Sequence, residues 1–179
     1  SHRPASCAHP AAMTASPVRE TRPTQALPAS QLAGLASIVG DAHVHSRWAD
    51  RYAYARDRLP LATFAVRSGR LPGTMPSAVI CPGSHDEVGS VVQWARDAGV
   101  ALVPWGAGSG VLGGAIPLGG EAVLDLKRLN RMVAIDDVDG LATVGAGMNG
   151  GQFEEALAER GYTSGHLPQS LHMSTVGGW

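Results

Sequence analysis

Pro104-Trp105-Gly106-Ala107-Gly108-Ser109-Gly110-Val111-Leu112-Gly113-Gly114 follows directly on the apolar run Val100-Ala101-Leu102-Val103. The arrangement reads as a loop on the end of a strand. Closely spaced glycines let a backbone take positive φ and gather several N–H groups round one point, which holds a phosphate without a lysine. The stretch is therefore read as a pyrophosphate cradle, with a plain surface turn as the alternative. Gly108 to Gly113 spell G-x-G-x-x-G, but a Rossmann reading needs a helix to begin there. Pro117, Gly119 and Gly120 interrupt the following turns, and Ala122 to Leu126 is short and strand-like. A P-loop needs Lys-Ser or Lys-Thr after its last glycine, and Lys127 is the only lysine in the chain. What remains is a phosphate held by loop amides between two strands, in another kind of nucleotide fold.

Composition sets outer limits. The chain has 179 residues, 44% of them hydrophobic, enough for one core or one core with an appendage. A net charge of −1 at pH 7 lacks the basic excess that nucleic-acid backbones demand. Cys7 and Cys81 form no C-x-x-C pair, so neither a disulfide framework nor a zinc site is expected, and a cytoplasmic setting fits. No apolar run has the length of a membrane span, and the N-terminus lacks a signal-peptide centre. Residues 1–30 are rich in Pro, Ala, Ser and Thr and read as a disordered leader, with Met13 a candidate start. The other end, Val176-Gly177-Gly178-Trp179, stops inside a glycine turn, so an N-terminal fragment of a longer protein is expected.

Residues 31–76 read as a helical, arginine-rich segment. Leu32, Leu35, Ala36 and Val39 recur at helical spacing, with Ser30 as N-cap and Gly40 as stop. Arg47, Arg51, Arg56, Arg58, Arg67 and Arg70 stand against Asp50 and Asp57, and are read as a solvated helix and loop rather than an anion-facing arm. His43 and His45, two apart, do not share a helix face, and no metal pair is expected. After a linker from Pro72 to Pro76, Ala78-Val79-Ile80 makes a strand that Pro82 ends. A helix follows, with Ser84 and Glu87 at capping-box spacing, a stripe of Val88, Val91, Val92 and Ala95, and Gly99 as its stop. With Val100 to Val103 as the next strand this is a βαβ unit, whose strands run parallel with the glycine loop at their carboxyl edge, where ligands bind in such sheets.

Ala122 to Leu126 is a third strand, and Met132 to Ile135 with Leu141 to Val144 reads as a hairpin turned at Asp139-Gly140. Asp136, Asp137 and Asp139 lack the glutamate and flanking helices of a calcium hand, so they read as a turn. Asn149 caps a second helix with Phe153, Ala156 and Leu157 on its apolar side, ended by Gly161. Gly165 to Trp179 is a loop whose Ser170, Ser174 and Thr175 offer donors and whose glycines allow close approach to a flat ligand. His166 and His172 have no carboxylate or nucleophile at a telling spacing and read as loop residues rather than a catalytic pair.

Ser77-Ala78-Val79-Ile80-Cys81-Pro82-Gly83-Ser84-His85-Asp86-Glu87-Val88, the Pro104 to Gly110 loop and Gly165 to Trp179 together resemble the FAD-linked oxidase (vanillyl-alcohol-oxidase, PCMH-type) superfamily, nearest to its alkyldihydroxyacetonephosphate synthase branch. The resemblance implies an α+β fold: a PCMH-type FAD-binding domain over residues 77–179, with a small βαβ subdomain and the start of a second mixed α/β subdomain, incomplete at its C-terminus. It also implies that Pro104, Trp105, Gly106, Ala107, Gly108, Ser109 and Gly110 wrap the FAD pyrophosphate. Gln169, Ser170, Leu171, His172, Met173, Ser174 and Thr175 would make a second FAD contact. Ala107 stands where the family usually has glycine, and Gln169 where it usually has aspartate. Some relatives tether the flavin through a histidine in the first loop, which this chain lacks, so FAD unattached through that loop is expected.

The family's chemistry divides between acyl-to-alkyl exchange on acyl-dihydroxyacetonephosphate and oxidation of a 2-hydroxy acid or similar alcohol. In both the flavin carries the hard chemistry, and catalytic side chains come from a substrate domain beyond Trp179, so none is assigned here. A small-molecule substrate, no nucleic acid and a homodimer fit that picture. From other classes stand a non-catalytic fragment and a generic sugar-nucleotide binder resting on the glycine loop alone.

Overall fold

The computed structural model describes residues 25–69 and 74–179. The leader up to Thr24, with Cys7 and the Met13 start, lies outside the described residues, as do Arg70 and, in the linker, Pro72 and Gly73. Helices pack on one face of a small mixed sheet, and a hairpin with one helix follows.

Helix α1 spans Ala29–Val39. Pro28, at φ −56° and ψ 150°, precedes it, so Ser30 lies inside the first turn and is not the cap. A proline ahead of the first turn costs the helix no hydrogen bond, because its missing N–H has no partner to lose there. The described part of the expected leader is anchored, since the Leu27 N–H donates to the Ser77 carbonyl (3.1 Å). Strand β1 (Val44–His45), α2 (Trp48–Ala53) and α3 (Pro60–Arg67) follow. The arginine-rich segment departs from a solvated run: Arg51 is buried, with its Nε donating to the Pro76 carbonyl at 2.6 Å, and Asp57 is buried too.

The βαβ unit consists of β2 (Val79–Ile80), α4 (His85–Ala98) and β3 (Leu102–Trp105). Strand β4 (Ala122–Asp125) sits between β2 and β3 and is parallel to both, giving the order β1-β2-β4-β3 with β1 antiparallel at the far edge. All four β4 residues are buried: Ala122, Val123 and Leu124 as an apolar run in a central strand should be, and Asp125 at its end with them. Strand β3 lies two residues later than the apolar run indicates, because its ladder with β4 continues to Trp105 beside Asp125. Pro104 is tolerated in it because β3 is an edge strand.

The α4 cap forms as its spacing predicts. Ser84 Oγ accepts the Glu87 N–H (3.1 Å), while the Glu87 carboxylate reaches past Ser84 to accept the Gly83 N–H (2.6 Å). Val91 and Ala95 are buried, but Val92 is half exposed, since adjacent helical residues point about 100° apart and only one can face the sheet. One core packs Leu35, Val39, Ile80, Val91, Ala122 and Leu124 between α1, α4 and the sheet. Val79, Trp105 and Val123, with Tyr54 and Val103 packed on them, form another.

The hairpin is β5 (Met132–Asp136) and β6 (Leu141–Val144). Asp136 Oδ1 accepts the N–H groups of Val138 and Asp139 (2.9 and 3.1 Å), which holds its carboxyl below the usual range and accounts for the acidic cluster as a turn. Helix α5 (Gly150–Ala158) is capped by the Asn149 side chain, which accepts the Gly151 N–H (2.9 Å). It ends three residues before Gly161, whose N–H closes the last turn on the Ala158 carbonyl. Met148, Phe153 and Leu157 make the third core.

Leu35 is fully buried and ties α1 to the sheet. Leu35→Ala is expected to cost about 2–5 kcal/mol in a denaturant titration. A loss below about 1 kcal/mol would mean that α1 is peripheral to the core.

Candidate functional site

The glycine loop leaves β3 at Trp105, at the carboxyl end of the parallel strands. It forms one wall of a cleft of about 470 Å³. Pro104, Trp105, Gly106, Ala107, Gly108, Ser109 and Gly110 all line it, and Val111 and Leu112 extend the wall. The facing wall is Ala146, Ser174, Thr175, Gly177 and Gly178, and Leu126 and Asp57 also contribute.

The two walls meet at Gly106. A side chain on Gly106 would drive into the Thr175 hydroxyl, so only glycine permits this approach. Among the described residues, the backbone N–H groups of Gly106, Ala107, Gly108, Ser109 and Gly110 have no protein acceptor. Successive free amides with small side chains between them form a concavity suited to an anion. The residues present therefore fit a phosphate-bearing ligand with a flat part lying along glycines.

A polar network beneath the loop sets its height. Asp125, on β4, is buried and accepts the Tyr54 hydroxyl proton at 2.6 Å. Lys127 Nζ lies 2.6 Å from the same Asp125 oxygen, donates to the Gly106 carbonyl (3.3 Å) and sits 5.1 Å from the Tyr54 ring centroid. The Lys127 N–H donates to the other Asp125 oxygen (2.9 Å). Tyr54 in turn packs edge-on against Trp105, with ring centroids 5.0 Å apart. Burial, then the hydrogen bond to Asp125, pushes the Tyr54 phenol well above its ordinary range. Cys81, in the same layer, is pushed up to about 11, first by burial and then by the Asp125 charge.

The second expected contact segment divides. Ser174 and Thr175 line the cleft, whereas Gln169, Ser170, Leu171, His172 and Met173 form the turn leading into it and do not. That turn is fastened to the start of α5. The Gly151 N–H donates to Leu171, and Asn149 Nδ2 to the His172 carbonyl (3.0 Å). The Ser174 hydroxyl is also committed within the protein, donating to the Ser170 carbonyl (2.9 Å) and accepting from Trp179 Nε1 (2.7 Å). His166 packs edge-on against Trp179. Gly177 and Gly178 line the cleft, in keeping with the reading that glycines of the Gly165 to Trp179 loop allow close approach to a ligand, whereas sequence reasoning missed Ala146. It also missed Tyr54, Asp57 and Asp125, which only the tertiary fold brings to the loop. Among the described residues no group of three His, Cys, Asp or Glu could hold a metal ion, and no helix is long and apolar enough to cross a membrane.

A family model described as "FAD binding domain" matches residues 76–179. The alkyldihydroxyacetonephosphate synthase of Dictyostelium discoideum is 33% identical over 117 residues, which is 64% of this chain and 19% of that protein. The D-2-hydroxyglutarate dehydrogenase of Xanthomonas citri pv. viticola is 44% identical over 86 residues, 48% of this chain and 18% of that protein. A solved alkyldihydroxyacetonephosphate synthase superposes with a TM-score of 0.81 at 25% identity, covering 87% of this chain and 29% of the other. The chain thus spans about a fifth of the length of the curated relatives it matches.

The layer under the loop has a chemical signature. With the Cys81 thiol near 11 against an ordinary value of 9.0, its thiolate fraction at pH 8 is about 100-fold lower than for a free cysteine. In a Cys7→Ser background, alkylation at pH 8 is expected to be slow when folded, to rise steeply toward pH 11, and to become fast in denaturant. Equal rates folded and unfolded would contradict the burial of this layer.

Proposed function

Because the chain belongs to the FAD binding domain family, we propose that it is the dinucleotide-holding part of an FAD-dependent enzyme of the alkyldihydroxyacetonephosphate synthase kind. The observation that carries the reading is the convergence on one cleft of five free loop amides and the Thr175 wall. The amides of Gly106 to Gly110 would hold the pyrophosphate, and Thr175, Gly177 and Gly178 would take a further part of the cofactor. Lys127 holds the Gly106 carbonyl back from the cleft, leaving that side of the peptide to N–H donors.

When bound, FAD supplies the electron-accepting chemistry, and the protein's part is to hold and orient it. Attachment of the flavin through the first loop is not expected, because Pro104 to Gly114 contains no histidine. Catalytic residues are expected from outside this chain. The synthase reading, exchange of an acyl group on dihydroxyacetonephosphate for a fatty alcohol, is supported by a likeness that extends over most of the chain, upstream of residue 76. A second reading, oxidation of a 2-hydroxy acid, is favoured by the higher identity over the shorter Xanthomonas match. From another class stands the reading that this stretch of chain alone is a non-catalytic fragment that lacks part of the flavin shell, which FAD binding by the isolated stretch would contradict. A cytoplasmic setting rests on the cysteine usage, and a homodimer on the family resemblance.

Full-length protein purified and desalted without added cofactor is expected to show flavin absorption that is released on denaturation. It should then turn over acyl-dihydroxyacetonephosphate with a fatty alcohol and leave 2-hydroxy acids unchanged. Oxidation of a 2-hydroxy acid alone would replace the first reading with the second. A protein that stays colourless after FAD is added would remove both.

A further inference from the structure

Asp57 lies between α2 and α3, upstream of the residues that the family model matches. It is only 3% exposed, and both its oxygens accept backbone N–H groups: Oδ1 that of Leu59 (2.8 Å) and Oδ2 that of Gly113 (2.9 Å). The next residue adds a third bond, from the Arg58 N–H to the Gly110 carbonyl (2.9 Å). A segment outside the matched domain therefore grips the glycine loop at two points, Gly110 and Gly113. The Gly113 N–H reaches Asp57 with φ at 83°, a conformation that only glycine takes without steric cost.

The grip matters because of what the loop is made of. Gly106 to Gly114 contains five glycines in nine residues and no helix or strand. Such a chain loses much conformational entropy on ordering, and a ligand that must order it binds more weakly. Asp57 also lines the cleft. A carboxylate there opposes the charge of a pyrophosphate, so a ligand contact does not explain it. Its backbone bonds do. Arg56 and Arg58 line, with Asp57, a smaller adjoining hollow of about 190 Å³.

We propose that Asp57 is a positioning residue for the cofactor: it orders the glycine loop before FAD arrives, making the arginine-rich segment part of the cofactor site. The inference rests on FAD occupying this cleft. The test is FAD titration of full-length apoprotein, read by flavin fluorescence, for the native protein, Asp57→Ala, Asp57→Asn and Val91→Ala. Val91 is fully buried on α4 and is not among the residues that line the cleft, so its variant reports the effect of lost stability.

Asp57→Ala is expected to raise the FAD Kd at least about tenfold, with Asp57→Asn, which keeps one acceptor oxygen, in between. Val91→Ala should lower the apoprotein Tm yet leave Kd within about twofold. Asp57 variants that bind within about twofold of native would overturn the proposal, as would a Val91→Ala loss of affinity equal to theirs. If Asp57→Ala does not fold, Asp57→Asn against Val91→Ala decides by the same comparison. A native protein that binds no FAD would instead overturn the assignment of the cleft.

Discussion

The site depends on the approach of Gly106 to Thr175, a contact so close that no side chain fits between them. It joins two stretches of chain about seventy residues apart in sequence and turns two loops into opposing walls. The approach is held from below by Asp125, a buried carboxylate shared by the Tyr54 hydroxyl, the Lys127 ammonium and the Lys127 N–H. Removing one partner of such a group leaves a buried charge uncompensated, which costs about 3–5 kcal/mol where the burial is deep and less where, as at Lys127, the partner is partly exposed. The height of the loop is thus set by an electrostatic group in the sheet, and its free amides by the loop itself.

The sheet explains why the cleft lies where it does. Strands β2, β4 and β3 are parallel, and their carboxyl ends deliver Asp125 and Trp105 side by side. Inserting β4 at the centre sends the loop after β3 across the sheet end before the chain returns. The returning wall comes from the second unit, where the Gly177 N–H donates to Ala146 and the Val176 N–H to Met148 (both 2.9 Å). The cleft therefore lies between two units whose cores are separate, an arrangement common for small-molecule sites.

Much of this was legible in the sequence wherever a signal was local. Glycine spacing, the Ser84 cap, the Asp139-Gly140 turn and the Asn149 cap each act within a few residues, and each forms. The end of β3 was not legible, because Pro104 and Trp105 join the ladder only through their β4 partners. Val92 fits a stripe on paper, but a helix can turn just one of two adjacent valines toward the sheet. The arginine-rich segment misled most. A run of charges ordinarily faces water, yet Arg51 and Asp57 are buried because backbone groups far along the chain accept or supply their hydrogen bonds. Those partners, Pro76 and Gly113, lie 25 and 56 residues away, beyond any local pattern.

The central claim is that both walls close on FAD. Backbone hydrogen exchange of the full-length protein, measured with and without FAD, tests it most directly. The account predicts slower exchange in two separate segments, Gly106 to Gly110 and Thr175 to Gly178, because the first has free amides to give and the second faces them. Protection that appears elsewhere and leaves both segments unchanged would contradict it.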